Sequence, residues 1–286
     1  MLERKKKKNV NQIPKSIILI AKGLQTISAN WTTRFAYKLF TTPIRYKMPK
    51  REFHMDQNSK QNQLLIPEIG KSITVYHYGT GPKKVLLVHG WSGRGTQLVK
   101  IADELLKNNY TTISFDAPAH GKSKGNFSVM TEFIASILEL EKQYGPFEFV
   151  IGHSLGGMSV LNAIKQKLQT KKAIIIGSGD IIKDIIDDFI QTLQLKPLIG
   201  NRLQEHFEQK FKQPMNNYSA YIAAQNIHIP ILIIHDKDDS DVNVKAAYHI
   251  HKHLSDSELI ITEKLGHRKI LGDKNVISDI INFISK

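Results

Sequence analysis

From Ile73 onward, short apolar runs alternate with stretches of helical period, and that alternation leaves few architectures open. The runs are Ile73–Tyr78, Val85–His89, Thr111–Asp116, Phe147–Gly152, Ala173–Gly177, Ile231–His235 and Leu259–Thr262. Between most of them lie segments whose apolar residues recur every three or four positions, at about 98–107, 129–144, 155–168, 244–254 and 276–284. The central runs are almost uninterrupted in apolar side chains, as expected of strands covered on both faces. The alternation predicts an α/β fold, a mostly parallel sheet with helices on both sides. Ligands of such sheets bind beyond the carboxyl ends of the strands. Chemistry is therefore expected in the residues that follow each run.

One interval breaks the rhythm. Between Gly179 and His228 no run reads as a strand. Helical stretches at 181–193 and 203–211, with Pro197, Gly200 and Pro214 among them, predict a short helical cap inserted at about 180–228. The chain then divides into an N-terminal extension and linker, 1–65, and a main domain, 66–286. It contains no cysteine, which excludes a disulfide scaffold and a cysteine nucleophile.

The formal net charge is +14, but its location matters more than its size. Residues 1–51 hold 13 Lys/Arg and a single acidic residue, Glu3, and the remainder is nearly balanced. The basicity belongs to the extension, no nucleic-acid recognition motif is present, and the main domain is not expected to bind nucleic acid. The first eight residues, MLERKKKK, read as a disordered basic tail. Apolar residues follow at Ile17, Ile20, Leu24, Ile27, Trp31, Phe35 and Leu39, one stripe of a helix that begins near Pro14 and stops at Thr42-Pro43. Polar residues from Lys47 to Gln63 read as a linker. Three roles for the helix stay open: packing on the main domain, lying at a membrane interface beside anionic lipid, or serving as a cleaved signal or anchor. Its apolar run Ile17–Ala21 is too short to span a bilayer.

Residues 152–156, Gly-His-Ser-Leu-Gly, have the form G-x-S-x-G at the end of a predicted strand and the start of a predicted helix. In that setting the pattern describes a nucleophile elbow, and the helix start supplies N–H groups for a developing oxyanion. A hydroxyl needs a base and a group that orients the base. His235-Asp236-Lys237-Asp238-Asp239 delivers carboxylates at a later strand end, and Leu265-Gly266-His267-Arg268 delivers a histidine after the next strand. The order Ser154, acid, His267 is that of elbow-type hydrolases. The N–H of Trp91, in His89-Gly90-Trp91 after an early strand, pairs naturally with that of Leu155 as an oxyanion hole.

With "HGW", "DAPAHGKS", "GHSLGG", "HDKDD" and "LGHR" in this order, the sequence from about residue 66 to 286 resembles the α/β-hydrolase superfamily. The resemblance implies that fold, a Ser154–Asp239–His267 triad, acyl transfer to water and no cofactor or metal. It places the acid four residues after His235, at Asp239, with Asp238 adjacent as the alternative. Asp236 stands where the family usually has glycine, and Ala119 replaces another common glycine. Asp116, His89 and His153 are expected to be structural. His249 and His253 read as a solvated helix end rather than metal ligands. The aspartates of "HDKDDSD" lack the glycine and glutamate of a calcium loop.

The expected activity is hydrolysis of a small carboxylic ester. A membrane-surface lipase or lysophospholipase, a thioesterase on the same fold, and a non-catalytic binding module are the alternatives. The expected placing is cytoplasmic, with peripheral contact at the inner membrane surface through residues 1–45 as the added partner expectation.

Overall fold

The computed structural model describes residues 13–286, so the basic tail expected at residues 1–8 lies outside the described residues. In chain order the elements are α1 (Lys15–Ile27), α2 (Ala29–Thr41), α3 (Phe53–Asn58), β1 (Lys60–Ile66), β2 (Lys71–Tyr78), β3 (Lys83–Val88), α4 (Val99–Lys107), β4 (Tyr110–Asp116), α5 (Met130–Tyr144), β5 (Phe147–His153), α6 (Leu155–Lys165), β6 (Thr170–Ile176), α7 (Ile182–Thr192), α8 (Pro197–Phe211), α9 (Ala220–Ala224), β7 (Ile231–Asp236), α10 (Lys245–His253), β8 (Ser257–Thr262), α11 (Gly266–Lys269) and α12 (Lys274–Ser285). They fall into two compact units. One spans Thr41–Ile182 and Met215–Lys286, and the other combines the N-terminal residues to Phe40 with Lys183–Pro214.

The larger unit is built on a sheet ordered β1-β2-β4-β3-β5-β6-β7-β8. β1 with β2 and β2 with β4 are antiparallel. The pairs β3–β4, β3–β5, β5–β6, β6–β7 and β7–β8 are parallel. Register runs straight across the centre: Leu87 pairs with Ile151, Ile151 with Ile174, and Ile174 with Leu232. Alternate residues of each strand share a face. Val85, Leu87, Phe149, Ile151, Ile174, Ile176, Leu232 and Ile234 accordingly form one buried layer with Leu98, Ile101 and Leu105 of α4 and Val276, Ile280 and Phe283 of α12. The in-phase register brings the carboxyl ends of β3, β5, β6 and β7 to one level. That is the edge at which the sequence places its candidate chemistry.

Two segments differ from expectation. The stretch expected to be a linker holds α3 and the start of β1, so the sheet begins at Lys60 rather than after residue 65. β1 has the sequence KQNQLLI and is fully buried only at Ile66, and a polar edge strand lacks the apolar run by which buried strands are recognised. The N-terminal stripe is also two helices rather than one. Ser28 adopts an extended backbone between them, with φ −157° and ψ 123°. Its hydroxyl then accepts the Trp31 N–H at 3.4 Å at the start of α2.

The smaller unit joins α1 and α2 to α7 and α8, so of the three roles left open for the N-terminal segment it packs, and it does so on the cap. Phe207 is 2% exposed. Its ring lies 5.1 Å from that of Tyr37 and 5.7 Å from that of Phe40. Phe40 also meets Phe189 at 5.1 Å. The Lys196 N–H donates to Gln25 Oε1 at 2.7 Å, and Arg202 donates to Asn30 at 2.9 Å. Replacing Phe207 with alanine should cost about 3–5 kcal/mol in this core. Hydrogen exchange should then accelerate in residues 15–41 and 182–211 together. Acceleration confined to α8 would argue against a shared core.

Candidate active site

β5 ends in a tight turn. Ser154 has φ 54° and ψ −121°, a conformation that costs a non-glycine residue on the order of 1–3 kcal/mol and persists only where the surroundings impose it. Here the Ser154 N–H is held by the Ile176 carbonyl of β6 at 2.9 Å. The turn also requires close backbone approach. A Cβ on Gly152 would stand 2.5 Å from the Gly156 carbonyl oxygen, and one on Gly156 would stand 2.5 Å from the Val88 carbonyl oxygen. Both positions are therefore closed to any side chain. Leu155 is the first residue of α6, and its N–H precedes the helical ladder.

The turn after β3 lies against this elbow. A Cβ on Gly90 would come within 2.9 Å of Ser154 Cβ. His89 shapes the turn: its Nδ1–H donates to the Gly90 carbonyl at 2.7 Å, and its Nε2 accepts the Ala117 N–H at 3.0 Å. The Gly90 N–H donates to Gln97 Oε1 at 2.9 Å. The Trp91 ring rests edge-on against His120, 5.0 Å between centroids. Asp116 has the structural place expected of it. Its oxygens accept the Gly95 and Lys122 N–H groups and the Tyr76 hydroxyl.

Of the two candidate acids, the structure brings Asp239 to the histidine. His267 Nδ1 and Asp239 Oδ2 are 2.7 Å apart, with side chains 10% and 1% exposed. The other oxygen, Oδ1, accepts the Asp241 and Val242 N–H groups at 2.8 and 2.9 Å. Burial pushes the Asp239 carboxyl upward. The His267 hydrogen bond and charge and the two backbone donors outweigh that, and the net result lies below the ordinary range. Asp238 is exposed, and its Oδ2 accepts the Lys264 N–H at 2.9 Å instead. With Nδ1–H committed to Asp239, Nε2 of His267 keeps the lone pair.

Two side chains that the sequence did not single out as positioning groups join the parts. His153 Nε2–H donates to the His267 carbonyl at 2.9 Å, and the two rings are 4.6 Å apart. The residue before Ser154 thus ties the histidine loop to the elbow. Asp236, where the family usually has glycine, ties that loop to the acid loop. It accepts the Asp238 N–H at 2.9 Å, the Thr262 hydroxyl at 2.7 Å and the Leu265 N–H at 3.1 Å. Burial raises its carboxyl, but these donors and the Gly266 N–H together bring it below the usual carboxylate range. The departure from glycine was the available signal, and the role became readable only with the loops in place. Asp236→Asn should lose about 1–3 kcal/mol of stability at pH 7 and lower kcat about tenfold with little change in KM. Unchanged kinetics would remove Asp236 from the positioning of the pair.

His249 is more than a solvated helix end, because its Nδ1 meets Asp180 Oδ2 at 2.5 Å. A recess of about 150 Å³ lies beside the Ser92–Arg94 segment, lined by Arg45, Arg94, Lys122 and Asp116 among others. Ser154, Asp239 and His267 are not among its lining residues, and its cations already bind carbonyl or carboxylate oxygens.

Four histidines around these turns are buried and neutral. Burial, with the neighbouring His267, pushes His153 down to about 3. Burial likewise takes His120 down to about 4 and lowers His89 and His235. The unfolded chain takes up protons at these residues below about pH 6.5 and the folded one does not, so stability falls as pH falls. His153 and His120 each contribute up to about 1.4 kcal/mol per pH unit in that window, and His89 and His235 act in the same direction. Urea midpoints should therefore drop steeply between about pH 6.5 and 4.5, before most carboxylates titrate. A flat profile over that range would contradict the buried neutral state.

Comparison with known proteins bears on the fold. The model of the alpha/beta hydrolase family matches residues 85–224. A search of curated sequences finds no relative. Among solved structures, an esterase from Exiguobacterium antarcticum matches with TM-score 0.64 at 20% identity, covering 79% of this chain and 100% of that one. A bromoperoxidase from Bacillus anthracis matches at 0.60 and 16%, covering 79% and 99%. A membrane phospholipase A, described as a bacterial virulence factor, matches at 0.62 and 14%, covering 95% and 98%. The activities these proteins are named for differ, so the shared fold alone does not choose a reaction.

Proposed function

We propose that this chain, an α/β hydrolase by fold and family match, is a serine hydrolase that cleaves carboxylic esters through an acyl-enzyme. The observation that carries the reading is the 2.7 Å His267–Asp239 pair, tied through His153 to the elbow that presents Ser154. A serine in a bare strand–helix turn has no use for a buried histidine–carboxylate pair at its side.

In this reading Ser154 Oγ attacks the ester carbonyl while His267 Nε2 takes its proton. The imidazolium that forms is stabilised by Asp239, whose second oxygen is fixed by two backbone donors. The Trp91 and Leu155 N–H groups receive the oxyanion. His267 returns the proton to the departing alkoxide, and water repeats the sequence on the acyl-enzyme. No step calls on a metal or cofactor. The esterase and phospholipase names among the structural neighbours support ester cleavage as the class.

A fluorophosphonate probe should label Ser154, and Ser154→Ala should abolish labelling and lower kcat on short-chain esters by about 10⁶. Mass spectrometry locates the adduct. Labelling that survives the substitution, or none on the folded protein, would overturn the assignment, and thioesters and lysolipids run beside the esters would define the acyl substrate.

A further inference from the structure

The helices that join the cap have a second face that the cap does not use. On α1 and α2, Ala21, Thr32 and Ala36 are buried. Leu19 is 69% exposed, Ile20 52%, Ile27 70% and Trp31 57%, and Leu198 at the start of α8 adds another exposed apolar side chain. Ile20, Ile27 and Trp31 belong to the stripe that a helix of this period would ordinarily bury. The same segment is basic throughout. Lys15, Lys22, Arg34 and Lys38 are exposed, and no Asp or Glu occurs between Arg4 and Arg51.

We propose that this face docks the protein on an anionic lipid surface, with Leu19, Ile20, Ile27 and Trp31 entering the interface and the surrounding cations meeting the headgroups. Apolar burial and electrostatic attraction are the two signals that together hold a helix in the interfacial plane. Among the described residues no helix is long and apolar enough to cross a membrane, so the attachment is to the surface. Other covers fit less well. Residues 1–12 carry five Lys/Arg, with Met1, Leu2 and Val10 as their apolar side chains, and so offer little apolar cover. A second copy would bring like charge against like charge, since residues 1–51 hold 13 Lys/Arg against one Glu. The inference does not rest on the reaction proposed above.

Deleting residues 1–50 would strip α1 and α2 from the core they share with α7 and α8, so the test uses substitutions on the outer face of the full-length chain. The protein should co-sediment with vesicles containing phosphatidylglycerol and not with pure phosphatidylcholine. Trp31 emission should shift to the blue on binding. Raising salt from about 0.1 to 1 M shortens the screening length from about 10 to 3 Å and should release the protein. The combined Ile20→Glu, Ile27→Glu and Trp31→Glu variant should bind at least about tenfold more weakly, while circular dichroism shows it folded. Failure of the parent protein to bind phosphatidylglycerol vesicles would overturn the proposal, as would equal binding by the variant. So would a dimer, seen in sedimentation velocity without vesicles, that the three substitutions dissociate while lipid binding stays absent.

Discussion

The parallel register of the central strands is the constraint from which the rest follows. Each strand from β3 to β7 pairs in step with its neighbour, so the chain leaves the sheet at one level four times over. Those exits carry Gly90 and Trp91, Ser154, Gly177, and the loop from Asp236 to Asp239. β8 adds the exit that leads to His267. A shift of one residue in any of these strands would turn its buried side chains to the opposite face. It would also move its contribution to the site by about 3.3 Å, more than a hydrogen bond tolerates. The buried layer of Leu87, Ile151, Ile174 and Leu232 therefore fixes the geometry of the candidate site as well as the core.

Above the sheet, polar side chains do the joining. His89 links the turns after β3 and β4, His153 links the elbow to the histidine loop, and Asp236 links that loop to the acid loop. Each link is a buried group, and His89 and Asp236 have their polar atoms paired, the condition for burial without a large penalty, while His153 uses Nε2 alone and leaves Nδ1 unpartnered. The strained Ser154 backbone is maintained by this surrounding frame. Local strain at one residue thus sits within a frame of hydrogen bonds drawn from the ends of six strands, β3 to β8.

Much of this was legible in the sequence. The apolar runs gave the central strands because burial on both faces leaves a compositional mark. The turns that carry Ser154 and His267 were legible because glycine spacing and strand-end placement mark such turns. Asp239 and Asp238 could not be told apart by pattern, since adjacent carboxylates differ only in where the loop aims them. β1 was missed because an exposed edge strand looks like a linker in its side chains. The break at Ser28 was missed because the apolar spacing runs through it without a change of period. The partnership of α1 and α2 with the cap was out of reach, because nothing local records which distant segment will cover a helix face.

That partnership has a consequence for how the chain is made. The core around Phe207, Tyr37 and Phe40 draws on residues separated by most of the length of the chain's first two thirds. On a ribosome adding about 5–20 residues per second, Phe40 emerges roughly 10–30 s before Phe207 arrives to cover it. Through that interval α1 and α2 have both faces bare. The two helices are synthesised long before α7 and α8 complete their core, and whatever meets them in the meantime meets an apolar, positively charged nascent chain.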